Sequence, residues 1–161
     1  MLAALKTLLR PAAALLSGGG GQAPVNLRTR DSSPQAIERD VAYALSIGLQ
    51  YRELIQAHGF ALVHRHVLEL GPGYNFGSVM VLACCGAVPM VADRFLVPWE
   101  PAYHAKFYAA LKKALPAKLP GVALDLTPLD RLVSANAHAP EIIQTFSAST
   151  EELADIADAS V

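Results

Sequence analysis

With 161 residues, 53% apolar and 17% charged side chains, the chain is long enough for one domain with a modest core and too apolar for an intrinsically disordered protein. Its net charge of −1 exerts no overall pull on nucleic acid, and no basic and aromatic residues are arranged as a nucleic-acid surface. The only cysteines, Cys84 and Cys85, are adjacent, which excludes a disulfide framework and fits a reducing compartment, so a cytoplasmic location is expected; no C-x-x-C or H-E-x-x-H metal pattern occurs.

Residues 1–30 hold Lys6, Arg10, Arg28 and Arg30 and no acid. The apolar run from Met1 to Ser17 is broken by Lys6, Arg10 and Pro11, too short and too interrupted for a transmembrane segment. It reads as a small docking helix followed by the Gly18–Gly21 linker, a signal or transit peptide being the alternative. Residues 1–33 are therefore taken as an N-terminal arm, and residues 34–161 as the domain.

Ser32-Ser33-Pro34 is a helix start: a serine hydroxyl caps, and proline suits the first turn. Ile37, Val41, Leu45 and Leu49 recur every fourth residue, with Tyr51, Leu54 and Ile55 continuing the stripe. The spacing predicts an amphipathic helix of about six to seven turns, bent at Gly48 and stopped by Gly59. His66–Leu70 is strand-like and ends in Gly71-Pro72-Gly73; a helix from Gly77 to Cys85, closed by Gly86, follows; Val88–Ala92 is a second strand. Tyr103, Phe107 and Leu111 mark a helix over 101–115 that Pro116 and Pro120 should end. A short helix is expected in 130–136, a third strand in 141–146 and one or two helical turns in 151–157. Strands alternating with helices indicate an α/β fold on a parallel sheet.

Residues 67–94 carry the chemistry. Gly71 and Gly73 stand where a strand turns into a helix, which permits a tight bend and lets a ligand approach without a β-carbon in the way. Asn75 tolerates a left-handed backbone, and free amides at the next helix start are available to a ligand. Twenty-two residues after Gly71 the second strand ends in Asp93, whose carboxylate suits the two hydroxyls of a ribose. A dinucleotide fingerprint needs a third glycine three places after the second, yet the third here is Gly77. Glu69 also argues against a diphosphate and for a cationic ligand, because a carboxylate in a central strand is costly without a partner.

Val67-Leu68-Glu69-Leu70-Gly71-Pro72-Gly73 resembles the first motif of class I S-adenosylmethionine-dependent methyltransferases, with Asn75 where many members have a third glycine. Val91-Ala92-Asp93 is similar to the second motif, and Ser147–Leu153 to the segment after the third strand. The resemblance implies S-adenosyl-L-methionine as cofactor and a Rossmann-like three-layer αβα fold behind a helical N-terminal segment. It implies Glu69 at the methionine end, Gly71, Gly73 and Asn75 at the close approach, Asp93 at the ribose, and Ser149 and Thr150 at the adenine, with Ser149 where members often have aspartate. Arg94, next to the ribose acid, is placed to stack on adenine or pair with Glu100, or to stand in solvent.

The family's sheet has seven strands, and this sequence supplies three, so the sheet is expected to be incomplete and the acceptor-binding half missing. The first strand would then lack one neighbour, and a marginal monomer, self-association through that edge or rearranged terminal segments should follow. Three functions remain open: a methyltransferase or its cofactor-binding part, with a small-molecule or lipid-like acceptor as the default; a non-catalytic remnant or interaction module; and an NAD-binding oxidoreductase-like domain. Trp99, Tyr103, His104, Phe107 and Tyr108 are expected to be helix packing with polar tips exposed, the alternatives being a lid over adenine or, for His104, a general base. His64 and His66 are expected on the surface, and both cysteines in packing.

Overall fold

The computed structural model describes residues 29–148 together with Leu153 and Ile156; the expectations for residues 1–28, for Ser149 and Thr150, and for helical turns in 151–157 lie outside the described residues. In chain order the elements are α1 (Pro34–Ala57), β1 (His66–Leu70), α2 (Gly77–Cys84), β2 (Val88–Ala92), α3 (Pro101–Lys118), α4 (Thr127–Ala135) and β3 (Gln144–Phe146). The fold is α/β with four helices and an open three-stranded parallel sheet in the order β1-β2-β3.

Ser33 caps α1, its hydroxyl accepting from the Ala36 amide at 3.3 Å, with Pro34 in the first turn. Ile37, Val41 and Leu45 are buried as their spacing requires. Tyr51 and Leu54, expected to continue the stripe, are 39% and 40% exposed. The end of α1 therefore leaves the main core, with Ile55 alone of the three continuing residues packing on the smaller cluster of Leu62, Leu82 and Ala87. Residues just ahead of α1 are stapled to α3: the Arg30 amide donates to Glu100 Oε2 (3.0 Å) and Lys106 Nζ to the Ser32 carbonyl (3.1 Å).

The largest departure is at Pro116, which lies inside α3 instead of ending it. Proline removes one helical hydrogen bond and crowds the carbonyl four residues back. Here that carbonyl belongs to the last turns of an 18-residue helix whose Leu111 and Leu115 are wholly buried, with Leu119 following them into the core. Burying each such side chain is worth about 1.5–3 kcal/mol, enough to carry one more turn past the proline. β3 is shorter than expected because the amides of Ile142 and Ile143 both turn back to the Ala139 carbonyl. The short helix in this region begins earlier than expected, where Asp125 accepts from the Thr127 amide (2.9 Å) and Pro128 fits the first turn.

Val67 packs into the core and Glu69 reaches the first turn of α2, so alternate residues of β1 face that helix. Among the described elements α2 is the only helix against the sheet; α1, α3 and α4 pack around α2. β1 has a hydrogen-bonded neighbour on one side only among the described residues.

α1 and α2 approach closely through two glycines. A β-carbon on Gly77 would lie 2.5 Å from Ala44 Cβ and 2.6 Å from Phe107 Cζ; one on Gly48 would lie 2.6 Å from Val81 Cβ and 2.8 Å from the Ser78 carbonyl. Overpacking of this kind costs about 1–3 kcal/mol. Gly77→Ala is expected to lower the melting temperature by roughly 5–15 °C. An unchanged melting curve would show that the helices part at no cost.

Candidate functional site

Parallel pairing brings the two motifs to one end of the sheet. Leu70 is in register with Ala92, the Gly71 amide continues the ladder to the Ala92 carbonyl (2.9 Å), and the Asp93 amide donates to the Phe146 carbonyl (3.2 Å). Gly71 and Asp93 therefore leave adjacent strands side by side at the carboxyl edge, where ligands of open α/β sheets bind.

Gly71 (φ +66) and Gly73 (φ +72) are both left-handed and exposed, and no atom lies within 4 Å of where a β-carbon would stand on either. The glycines are thus required by backbone conformation, and the space beside them is open to an approaching molecule. Asn75 tolerates a left-handed backbone, but the left-handed residue is the next one, Phe76 (φ 53), its ring wholly buried against His138 at 4.5 Å. Burial of a large ring offsets the strain of about 1–3 kcal/mol.

The loop is fastened from below by α3. His104 is fully buried, its Nδ1 accepts from the Glu100 amide (2.8 Å), and its Nε2 faces the Tyr74 carbonyl (3.0 Å). A backbone N–H can only donate, so Nδ1 is unprotonated and Nε2–H donates to Tyr74. Burial holds the pKa of His104 below its ordinary value, against the two backbone hydrogen bonds. Tyr108 donates to the Asn75 carbonyl (2.7 Å). Asn75 Nδ2 donates to Tyr103 Oη (3.2 Å), which donates to Oδ2 of the buried Asp40 (2.9 Å); Arg39 Nε meets the other oxygen of Asp40 (3.1 Å). The aromatic run after Asp93 is therefore packing, as expected. The polar tips of Tyr103, His104 and Tyr108, expected to be exposed, are buried and bonded to the loop, and that of Trp99 donates to Asn136 Oδ1, which withdraws the lid and the general-base readings.

Two residues expected to greet a ligand serve α2. Asn75 Oδ1 accepts from the Gly77 amide (2.9 Å), and Glu69 Oε2 accepts from the Val79 amide (3.2 Å). These amides of the first turn are thus taken by the protein itself. Burial pushes the pKa of Glu69 up to about 7, against the hydrogen bonds from Val79 and Ser78. No cation is paired with it among the described residues.

Asp93 Oδ1 accepts from the Phe95 amide (2.7 Å), an Asx turn that presents a half-exposed carboxylate. Arg94 is exposed and lies 5.8 Å from the centre of the Phe95 ring, while Glu100 gives its carboxylate to the Arg30 amide. Glu69 and Asp93 share no hydrogen-bond partner, and neither lines either of two surface grooves among the described residues. One, of about 320 Å³, lies between α1 and α3 along Val41, Leu45, Leu49 and Ala114, and the other, of about 360 Å³, lies by Leu54. Beside Gly71 and Gly73 the edge is open.

Cys84 is buried, its thiol pushed up to about 12 by burial first and Cys85 second, so it is no nucleophile. His64 and His66 are exposed, and no cluster of metal-ligating side chains forms among the described residues. Arg30 and His138 were not singled out by the sequence. Arg30 lies over the Tyr74 ring (4.1 Å), and His138 lies against Phe76.

Glu69 gives a pH signature. Its pKa in the fold exceeds the ordinary 4.5, so the folded state keeps a proton that the unfolded state releases. Its contribution is fully present below 4.5 and is lost as pH rises through 7. Glu69→Gln is expected to gain in melting temperature over wild type progressively from pH 4.5 to 8. A difference independent of pH would refute the uncompensated charge.

No protein-family model, curated protein or solved structure matches the chain.

Proposed function

We propose that the carboxyl edge of β1 and β2 binds S-adenosyl-L-methionine, and that the chain is a methyltransferase of the class I type or the cofactor-binding part of one. The observation that carries this reading is the adjacency of Gly71 and Gly73, left-handed with open space beside them, to the half-exposed Asp93 on the neighbouring strand. Gly71 and Gly73 would admit the amino-acid end of the cofactor to the backbone, and Asp93 would accept its ribose hydroxyls. Glu69, buried without a cation, would gain by a sulfonium or ammonium held nearby. When bound, the group would supply an activated methyl; the chain's own part would be to hold it. Ser149 and Thr150 would serve adenine. The fuller expectation of a three-layer Rossmann-like fold with a helical N-terminal segment belongs to this reading, as do a small-molecule or lipid-like acceptor, a cytoplasmic location and self-association through the free edge of β1. No helix of the described residues is long and apolar enough to cross a membrane.

A second reading, a binding or interaction module without catalysis, is favoured by one observation. His104, the candidate general base, is buried with both ring nitrogens already engaged.

Calorimetry with S-adenosylmethionine, its demethylated product and NAD tests these readings. Binding of the first two and not of NAD is expected. Asp93→Ala should weaken it at least tenfold, since a hydrogen bond to a charged group is worth about 1.5–3 kcal/mol. Gly71→Val should abolish it, because the substitution is strained at φ +66 and fills the approach. NAD binding alone, or no binding, would refute the proposal.

A further inference from the structure

One histidine beneath the glycine loop stands apart from the bonded groups around it. Both ring nitrogens of His138, in the turn after α4, are buried and meet no hydrogen-bond partner. The ring lies 4.5 Å from Phe76, 5.0 Å from His104 and 5.3 Å from Trp99, the last two edge-on. None of these neighbours can serve it. Trp99 Nε1 donates to Asn136 Oδ1 (2.8 Å), and His104 has committed both nitrogens.

A neutral imidazole tolerates such a setting at the cost of its lost hydration; an imidazolium does not, because a buried charge needs a partner. The nearest titratable group is His104 on α3. Beyond that ring stand Glu100 and Arg30, which act on His104, and Tyr108, whose hydroxyl is given to Asn75. Among the described residues no carboxylate faces His138, so no counter-charge would hold a proton there.

We propose that His138 is an acid-triggered latch on the glycine loop: its ring stays in the Phe76–Trp99–His104 cluster only while neutral, and on gaining a proton it leaves and loosens residues 71–76. The two rings it would abandon are the ones the loop depends on. Phe76 is the strained, left-handed residue that opens α2, and His104 holds the Tyr74 carbonyl. Burial, with His104 second, lowers the pKa of His138 from 6.5 to about 4. The advantage of the closed form is therefore full above pH 6.5 and declines as pH falls toward 4. By linkage the open form gains up to about 300-fold over that range. Weaker binding of a ligand at the loop in acid rests on the methyltransferase reading; the latch itself requires no ligand.

Trp99, the single tryptophan of the chain, reports the cluster directly. Its fluorescence is followed from pH 8 to 4 alongside the far-ultraviolet helix signal, in wild type, His138→Phe and His138→Gln. The wild type is expected to show a Trp99 transition between pH 6.5 and 4 with the helix signal retained, and at least one folded variant is expected to lose that transition or shift it by more than one pH unit. Three results would overturn the latch: a flat wild-type signal, a Trp99 change that comes only with loss of helix, or variants that titrate as wild type does. A titration with S-adenosylmethionine at pH 7.5 and 5 separates the two proposals. A Trp99 transition without binding at either pH refutes the cofactor and leaves the latch standing.

Discussion

The loop between β1 and α2 is fixed from beneath by α3. Its inner carbonyls, those of Tyr74 and Asn75, accept from His104 and Tyr108 of α3, and the Asn75 amide group links through Tyr103 to the buried Asp40 of α1. These bonds are shielded from water, and hydrogen bonds to a charged group such as Asp40 are worth about 1.5–3 kcal/mol each. Because residues 74–77 are tied down, Gly71 and Gly73 stand clear of the core at left-handed angles. The open face beside them is a consequence of the packing beneath, and the placement of Asp93 next to it follows from the register of β1 on β2.

That support comes with two buried titratable groups of opposite response. Glu69 is uncompensated when charged and His138 is uncompensated when charged, but the first ionises as pH rises and the second as pH falls. Each lies within one contact of α2's first turn, Glu69 through the Val79 amide and His138 through Phe76. The loop is held between them, so its stability is drawn down on both sides of a limited pH range. A cationic ligand near Glu69 would widen that range upward, which ties the electrostatics of the scaffold to the reading of the site.

The local signals in the sequence carried far. Ser33-Pro34 marks the start of α1 because capping and proline geometry are properties of neighbouring residues, and β1 and β2 end where glycine and aspartate end them. Pro116 misled because the burial of Leu115 and Leu119, a tertiary term, outweighed a local break. At the site the conformations of Gly71 and Gly73 were legible, since few other residues adopt them. The roles of Glu69 and Asn75 were less so: a sequence shows polar atoms beside a turn, not whether a helix end claims them first. Asp40 and His138 were invisible for the same reason. An acid on an amphipathic helix and a histidine in a proline-rich stretch gain their meaning only from what packs against them.

The central claim, that the loop of Gly71 to Asn75 and the turn at Asp93 form one ligand-binding edge, is tested most directly by backbone amide resonances of the labelled protein during titration with S-adenosylmethionine. The account predicts shifts concentrated at Gly71, Gly73, Tyr74, Asp93 and Phe95, with the amides in the middle of α3 unmoved. Saturable shifts that instead line the groove between α1 and α3, or no shifts at all, would contradict it.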